Sequence, residues 1–265
     1  MIQQTRDRGG LEAFLRRDAA TQIYALADLD AFFWPETTWY AWVEGGDRID
    51  AVCLVLERLS PPIVYAVCPP AHEPTGLLLD GVRELLPPRF FANLSPDLIE
   101  RLRPHFAIVS ESRFQKMFLP SKASLPSESA EFEELAPADY DELRNFYVEL
   151  DEEPGEGERV FETYMLEMGP YLGVRDCGKL IAAGGVHLVS RRYGVAALGN
   201  IATHPAWRRK GLARSITRAL CARLRSEVEL IGLNVMTANT AAVRCYEDIG
   251  FRPLCSYIEG ILEHR

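Results

Sequence analysis

Leu198-Gly199-Asn200-Ile201-Ala202-Thr203-His204-Pro205-Ala206-Trp207-Arg208-Arg209-Lys210-Gly211-Leu212-Ala213 decides how this chain is read. The stretch reads as a strand, then a turn holding three consecutive cations and a glycine, then the start of a helix. Small residues let backbone N–H groups approach a ligand closely. A helix N-terminus adds unpaired donors and partial positive charge. Arg208, Arg209 and Lys210 add full charges, so the turn is suited to cradle a pyrophosphate. A solvated basic turn before an ordinary helix has the same composition, and a bare Arg-x-x-Gly-x-Ala match is weak. Its place between a good strand and a good amphipathic helix strengthens it. It lacks the Gly-Lys-Ser/Thr of a nucleotide-binding P-loop and the Gly-x-Gly-x-x-Gly of a dinucleotide fold.

Downstream, Leu212, Ile216, Leu220 and Leu224 recur every fourth residue along a helix over 211–227. A strand follows at 230–236, a helix at 240–249 and a final strand at 254–262. Upstream lie a helix at 137–149, an acidic loop at 151–158, a helix at 159–168 and strands at 171–175, 180–190 and 194–203. Asp176-Cys177-Gly178-Lys179 suits a hairpin between the first two of these strands. The first half reads as a helical pattern over 10–27 and strands at 39–43, 49–56 and 63–68. A helix at 76–86, a strand at 90–94, a helix at 96–102 and a strand at 113–119 complete it. Alternating strands and helices with antiparallel hairpins make the chain mixed α/β.

Leu119-Pro120-Ser121-Lys122-Ala123-Ser124-Leu125-Pro126-Ser127-Glu128-Ser129 is rich in Ser and Pro and marks a domain boundary. The expected domains are residues 1–120 and 130–265. The length of 265 residues allows one large domain or two modest ones.

The charge balance is acidic, with 29 Lys and Arg against 38 Asp and Glu, a formal net charge of -9. That argues against nucleic acid or an anionic membrane as partner, because phosphate polymers select an excess of cations. Met1–Arg8 has no apolar core for a secretory signal, and no run approaches the roughly 18 apolar residues of a membrane span. Six cysteines at 53, 68, 177, 221, 245 and 255 form no Cys-x-x-Cys pair, which reads as the reduced thiols of a cytoplasmic protein. Five dispersed histidines give no metal-ligand spacing, so no metal is expected.

The residues from Thr203 to Ala213 resemble the acyl-CoA signature, Arg/Gln-x-x-Gly-x-Gly/Ala, of the GNAT superfamily of acyl-CoA-dependent N-acyltransferases. Leu233-Asn234-Val235, Asn239, Ala242, Tyr246 and Gly250-Phe251 resemble that family's next strand and helix at the expected spacing. The resemblance covers residues 130–265. Arg209 departs from it, standing where many members carry glycine.

The resemblance implies a mixed, mostly antiparallel sheet flanked by helices. It implies acetyl-CoA or another acyl-CoA as co-substrate and a small-molecule amine or amino acid as acceptor. The acceptor would attack the thioester directly. Backbone groups of Ile201, Ala202 and Thr203 would hold the pantetheine arm, and the Ile201 N–H would face the developing oxyanion. Arg208, Arg209, Lys210, Gly211, Leu212 and Ala213 would hold the pyrophosphate, and Asn239 the coenzyme arm. Asn239 also suits a helix cap before Thr240. Tyr246 corresponds to the general acid. A phenol of pKa about 10 is close to a thiol of about 8.5, so proton transfer to the leaving thiolate is nearly balanced. A half-buried helix aromatic is the other reading of Tyr246.

The attacking amine must lose a proton, which at pH 7 costs roughly 4–5 kcal/mol for an alkylamine. Candidate bases are His187, His204, Glu149, Asp151, Glu152 and Glu153. His204 reads more readily as structural, His187 as packed, and the acidic loop as solvated or as an attraction for a cationic acceptor.

The first half carries an echo. Val64 to Leu77 also reads strand, proline, turn, glycine, helix, and aligning Pro70 with Pro205 sets Gly76 on Gly211 and Glu73 on Arg208. Aligning Phe106 with Phe251 sets Arg101 where Tyr246 stands. A glutamate in that place repels phosphate. The expectation is a degenerate N-terminal half and an active C-terminal half, as in tandem or glycine N-acyltransferase-like members. A non-catalytic acyl-CoA sensor or assembly subunit is the alternative function, and Tyr246 weighs against it.

Overall fold

The computed structural model describes residues 1–45, 48–123, 125, 132–151 and 160–265. The acidic residues 152–158 and the linker residues 124 and 126–129 singled out above lie outside the described residues, as does the Asp151 side chain. The chain forms two compact units that are discontinuous in sequence. One holds residues 1–116, 235–239 and 253–265, the other residues 117–234 and 240–252.

In chain order the first elements are β1 (Ile2–Thr5), α1 (Arg8–Leu15), α2 (Ile23–Ala27), β2 (Thr37–Glu44) and β3 (Arg48–Leu56). Next come β4 (Ile63–Ala66), α3 (Glu73–Val82), β5 (Arg89–Leu94), α4 (Pro96–Leu102) and β6 (Phe106–Leu119). Then follow β7 (Glu133–Glu134), α5 (Tyr140–Asp151), α6 (Thr163–Met168), β8 (Leu172–Asp176), β9 (Lys179–Ser190) and β10 (Val195–Thr203). The last are α7 (Leu212–Leu224), β11 (Leu230–Met236), α8 (Thr240–Ile249) and β12 (Arg252–His264). The fold is mixed α/β, with mostly antiparallel strands flanked by helices.

In the first unit the strand order is β1-β2-β3-β4-β5-β12-β6. Pairs β1/β2, β2/β3 and β3/β4 are antiparallel, and β4/β5 is parallel. β2 follows the expected period of two, with Thr37, Trp39, Ala41 and Val43 buried and the residues between them less so. The core joins Val64, Leu78, Leu79, Phe90, Leu98, Phe106, Ile258 and Leu262, so the C-terminal strand β12 belongs to the core of the N-terminal residues.

The expected helix over 10–27 is broken into α1, a short 3-10 turn at Arg16–Asp18 and α2. No apolar side chain larger than alanine occurs between Arg16 and Gln22 to continue the buried stripe. The buried Gln22 side chain instead donates to the Val67 carbonyl at 2.8 Å. β6 starts seven residues before the expected 113 because it lies along β12. The Ser110 hydroxyl accepts from Ile261 N–H at 3.2 Å, and a Cβ on Gly260 would lie 2.1 Å from the Ser110 carbonyl oxygen.

A polar cluster is buried in this unit. Lys116 is 3% exposed, with its ammonium 4.8 Å from the Tyr24 ring, 5.1 Å from Tyr65 and 5.0 Å from Tyr257. Burial pushes Lys116 down to about 8 against the pull of Cys255, Glu259 and Asp28. Burial pushes the Asp28 carboxyl up to about 8 and the Glu259 carboxyl up to about 7. The Tyr257 hydroxyl donates to Glu259.

The second unit repeats the succession of pairings, in the strand order β11-β10-β9-β8-β7. Pairs β7/β8, β8/β9 and β9/β10 are antiparallel, and β10/β11 is parallel. The β8–β9 hairpin turns as expected through Cys177 at φ 46 and Gly178 at φ 83, the two left-handed residues of a tight hairpin. β9 is buried along nearly its whole length and reads as a continuous apolar run. α7 buries Ile216, Leu220 and Leu224, the face its four-residue spacing requires. The expected helix over 159–168 is shorter, because Glu162 is extended at φ -126 and only Thr163–Met168 is helical. Phe161 instead packs its ring against Tyr140, Tyr147 and Tyr171.

Candidate active site

The site is built where β10 ends and α7 begins. Gly211 caps α7 in the left-handed region at φ 83, and Ser215 N–H closes the first turn on its carbonyl at 3.0 Å. Only a residue without a Cβ takes that geometry at little cost. Arg209 is also left-handed at φ 64, the conformation for which glycine is suited. Arg208, Arg209 and Lys210 are all exposed. The Lys210 ammonium lies 3.9 Å from the Trp207 ring centroid. Arg208 Nε donates to the Thr203 carbonyl at 3.2 Å, which ties the turn to the strand end. His204 is bonded within the turn and to β9. Its Nδ1 accepts from Ala206 N–H at 3.3 Å, and its own N–H donates to the Ile181 carbonyl.

β10 is irregular just before the turn. Its antiparallel register with β9 pairs Gly199 with Gly185 and resumes at Ala202 with Ala183, skipping Asn200 and Ile201. Its parallel register with β11 ends at Leu198 with Leu233. Asn200 takes φ 54 and is 7% exposed. The Thr203 hydroxyl is buried without a hydrogen-bond partner among the described residues. A strand that leaves its ladders here, one orphaned hydroxyl, three exposed cations and a helix N-terminus fit an elongated ligand ending in phosphates. The site therefore fits an acyl-CoA.

Tyr246 is the seventh residue of α8 and is 9% exposed, with its ring 6.0 Å from Phe251 in an edge-on arrangement. Arg214 of α7 pairs with Asp248 of α8 at 2.5 Å. Asn239 is exposed just before α8, and its N–H donates to the Met236 carbonyl at 3.0 Å. Leu212 and Ala213, partly buried, form the first turn of α7.

Three residues that belong to no sequence motif converge on the irregular strand. The Tyr147 hydroxyl donates to the Asn200 carbonyl at 2.8 Å. The Asn200 amide donates to the Tyr171 hydroxyl at 3.2 Å and to the Val160 carbonyl at 3.1 Å. Burial pushes the Tyr171 phenol up, against the pull of its bond to Asn200. The Tyr171 ring lies over Gly185, where a Cβ would come within 2.3 Å of it. The one sequence signal was Asn200 itself, since asparagine tolerates the left-handed region better than most residues. Of the candidate bases among the described residues, His187 touches this cluster. Its ring covers Gly199, and its Nε2 is 3.4 Å from the Asn200 side-chain oxygen. Glu149 is exposed on α5.

Among the described residues no group of three or more His, Cys, Asp or Glu is arranged to hold a metal ion. Among the described residues no helix is long and apolar enough to cross a membrane.

Residues 133–251 match the acetyltransferase (GNAT) family. No curated protein matches the chain. Among solved structures, a Drosophila protein is similar at 18% identity and a TM-score of 0.64, over 96% of this chain and 87% of its own. A GNAT-family acetyltransferase from Colwellia psychrerythraea is similar at 15% identity and a TM-score of 0.57, over 100% of both chains. A tandem GNAT protein from the clavulanic acid biosynthesis pathway is similar at 15% identity and a TM-score of 0.52, over 99% of this chain and 98% of its own. These likenesses establish the GNAT fold over most of the chain.

Proposed function

Residues 133–251 are a GNAT-family acetyltransferase domain, and from that premise we propose that this protein is an N-acetyltransferase. It moves the acetyl group of acetyl-CoA to the primary amine of a small molecule or amino acid. The observation that carries the reading is the left-handed Gly211 cap of α7, preceded by three exposed cations, after a strand whose pairing with β9 is interrupted at Asn200 and Ile201. Arg208, Arg209, Lys210 and the N–H groups of Gly211, Leu212 and Ala213 bind the pyrophosphate. Ile201, Ala202 and Thr203 hold the pantetheine arm along β10, and Asn239 binds it from the start of α8.

The amine nitrogen bonds to the thioester carbonyl carbon, and the carbon–sulfur bond breaks. The Ile201 N–H stabilises the oxyanion that develops on the carbonyl oxygen. Tyr246 gives its phenol proton to the departing sulfur, yielding free thiol, and regains a proton as the amide forms. The protein acts in the cytoplasm, and its acidic remainder favours a cationic acceptor over a polyanion.

Residues 1–120 are read as a degenerate GNAT-like half, and residues 130–265 as the acetyltransferase half. The repeated succession of strand pairings supports this. At the matching turn, Gly76 is not a left-handed cap but the fourth residue of α3. A Cβ there would lie 2.5 Å from the Arg101 guanidinium carbon, and Arg101 pairs with Glu73 at 2.9 Å and Asp80 at 2.6 Å. This turn thus has no left-handed cap, and the cation beside it is already paired with carboxylates.

Calorimetry with acetyl-CoA tests the reading, with micromolar binding expected; no heat of binding at any concentration overturns it. A thiol-release assay against a panel of amines separates an enzyme from a binding-only protein.

A further inference from the structure

The oxyanion donor assigned above is a peptide N–H, and a peptide N–H is only as well aimed as its peptide plane. The unit in question joins Asn200 to Ile201. Neither ladder registers these two residues, so sheet pairing does not set the orientation of this plane. Side chains set it instead. The Tyr147 hydroxyl, on a residue only 2% exposed, donates to the Asn200 carbonyl at 2.8 Å. Tyr147 is itself fixed by an edge-on contact with Phe161 at 5.0 Å. The left-handed turn at Asn200 is held by its side-chain amide, which donates to Val160 and Tyr171.

In a trans peptide the C=O and the N–H point in opposite directions across one rigid plane. Holding the Asn200 oxygen toward Tyr147 therefore aims the Ile201 N–H away from Tyr147. A hydrogen bond on the acceptor side of a plane also polarises the donor side, which strengthens the bond the N–H makes. We propose that Tyr147 is a positioning residue: its hydroxyl locks the Asn200–Ile201 peptide so that the Ile201 N–H is preorganised for the oxyanion. This rests on the acetyl-transfer reading of the same site. Tyr147 touches neither acetyl donor nor acceptor in this assignment and acts through the peptide.

The test uses acetyl-CoA labelled with 13C at the acetyl carbonyl, bound to the full chain, and reads its infrared stretching frequency. In the parent protein the band is expected to lie below its frequency in water. In Tyr147→Phe the shift should shrink, kcat should fall about tenfold, a part of the roughly 10²–10³ that one oxyanion donor supplies, and KM for acetyl-CoA should hold. A purely structural role would instead lower thermal stability and leave the band of the bound fraction in place, which overturns the proposal. If Tyr147→Phe does not fold, Asn200→Ala decides. It disfavours the left-handed residue and removes its side-chain locks, so it should also shrink the shift; an unchanged band overturns the proposal. If the parent protein does not bind acetyl-CoA at all, the acetyl-transfer reading itself fails. If it binds with a shifted band that neither variant alters, only the role of Tyr147 fails.

Discussion

Arg209 and Gly211 stand two residues apart with left-handed backbones, at φ 64 and φ 83, on either side of Lys210. Gly211 takes this shape without strain. Arg209 does so with a Cβ, at a cost of about 1 kcal/mol. The cation is thus placed where the local backbone disfavours it. Arg209→Gly should raise the melting temperature by a few degrees while weakening acetyl-CoA binding. A thermal melt and a titration on the same sample check both; a drop in stability would contradict the strain argument.

Arg208→Glu places a like charge against the phosphates and removes the tie to the Thr203 carbonyl. Acetyl-CoA binding should weaken roughly ten- to hundred-fold, the loss of a charge-assisted bond plus repulsion. Because the site is exposed, the gap should narrow as salt is raised from about 0.05 to 0.5 M. Calorimetry at two ionic strengths measures this.

Tyr246→Phe keeps the ring that packs on Phe251 and removes only the hydroxyl. Turnover should fall about 10²-fold with little change in acetyl-CoA affinity. Steady-state kinetics beside a binding titration separates the two; unchanged turnover would remove Tyr246 from the mechanism.

One coenzyme per chain is expected. At the turn of the first half, the Arg101 guanidinium lies against Gly76 of α3 and pairs with Glu73 and Asp80. The fitted stoichiometry of acetyl-CoA binding should be near one, and Arg101→Ala should leave it there. A value near two would show that the first half binds as well.

The buried cluster around Lys116 makes stability depend on pH. Asp28 and Glu259 have raised pKa values in the folded state, about 8 and about 7. Their protonated forms contribute stability that is complete below the unfolded values near 4. It is lost as pH rises through about 7 for Glu259 and about 8 for Asp28. Lys116 is lowered to about 8, so its burial cost is relieved as pH rises from about 8 to 10.5. Denaturant midpoints should therefore fall from pH 5 to 8, and Asp28→Asn should flatten that fall.

The strand, basic turn and helix around Gly211 were legible in the sequence because each rests on local chemistry. A glycine before a four-residue apolar repeat, and cations beside it, need no distant partner to be read. Tyr147 and Tyr171 were not legible, since their meaning lies in bonds to residues 53 and 29 positions away. The helix expected over residues 10–27 failed for a related reason: Gln22 is claimed by the Val67 carbonyl, 45 residues distant.

By itself, then, the sequence determined a mixed α/β chain with a basic strand–turn–helix, because residue spacing dictates periodicity and a glycine dictates a left-handed cap. Tertiary structure alone decided that β12 completes the core of the N-terminal residues, and that a tyrosine from α5 bonds the carbonyl of Asn200. Both depend on which surfaces bury each other, and long-range burial leaves no mark in local spacing.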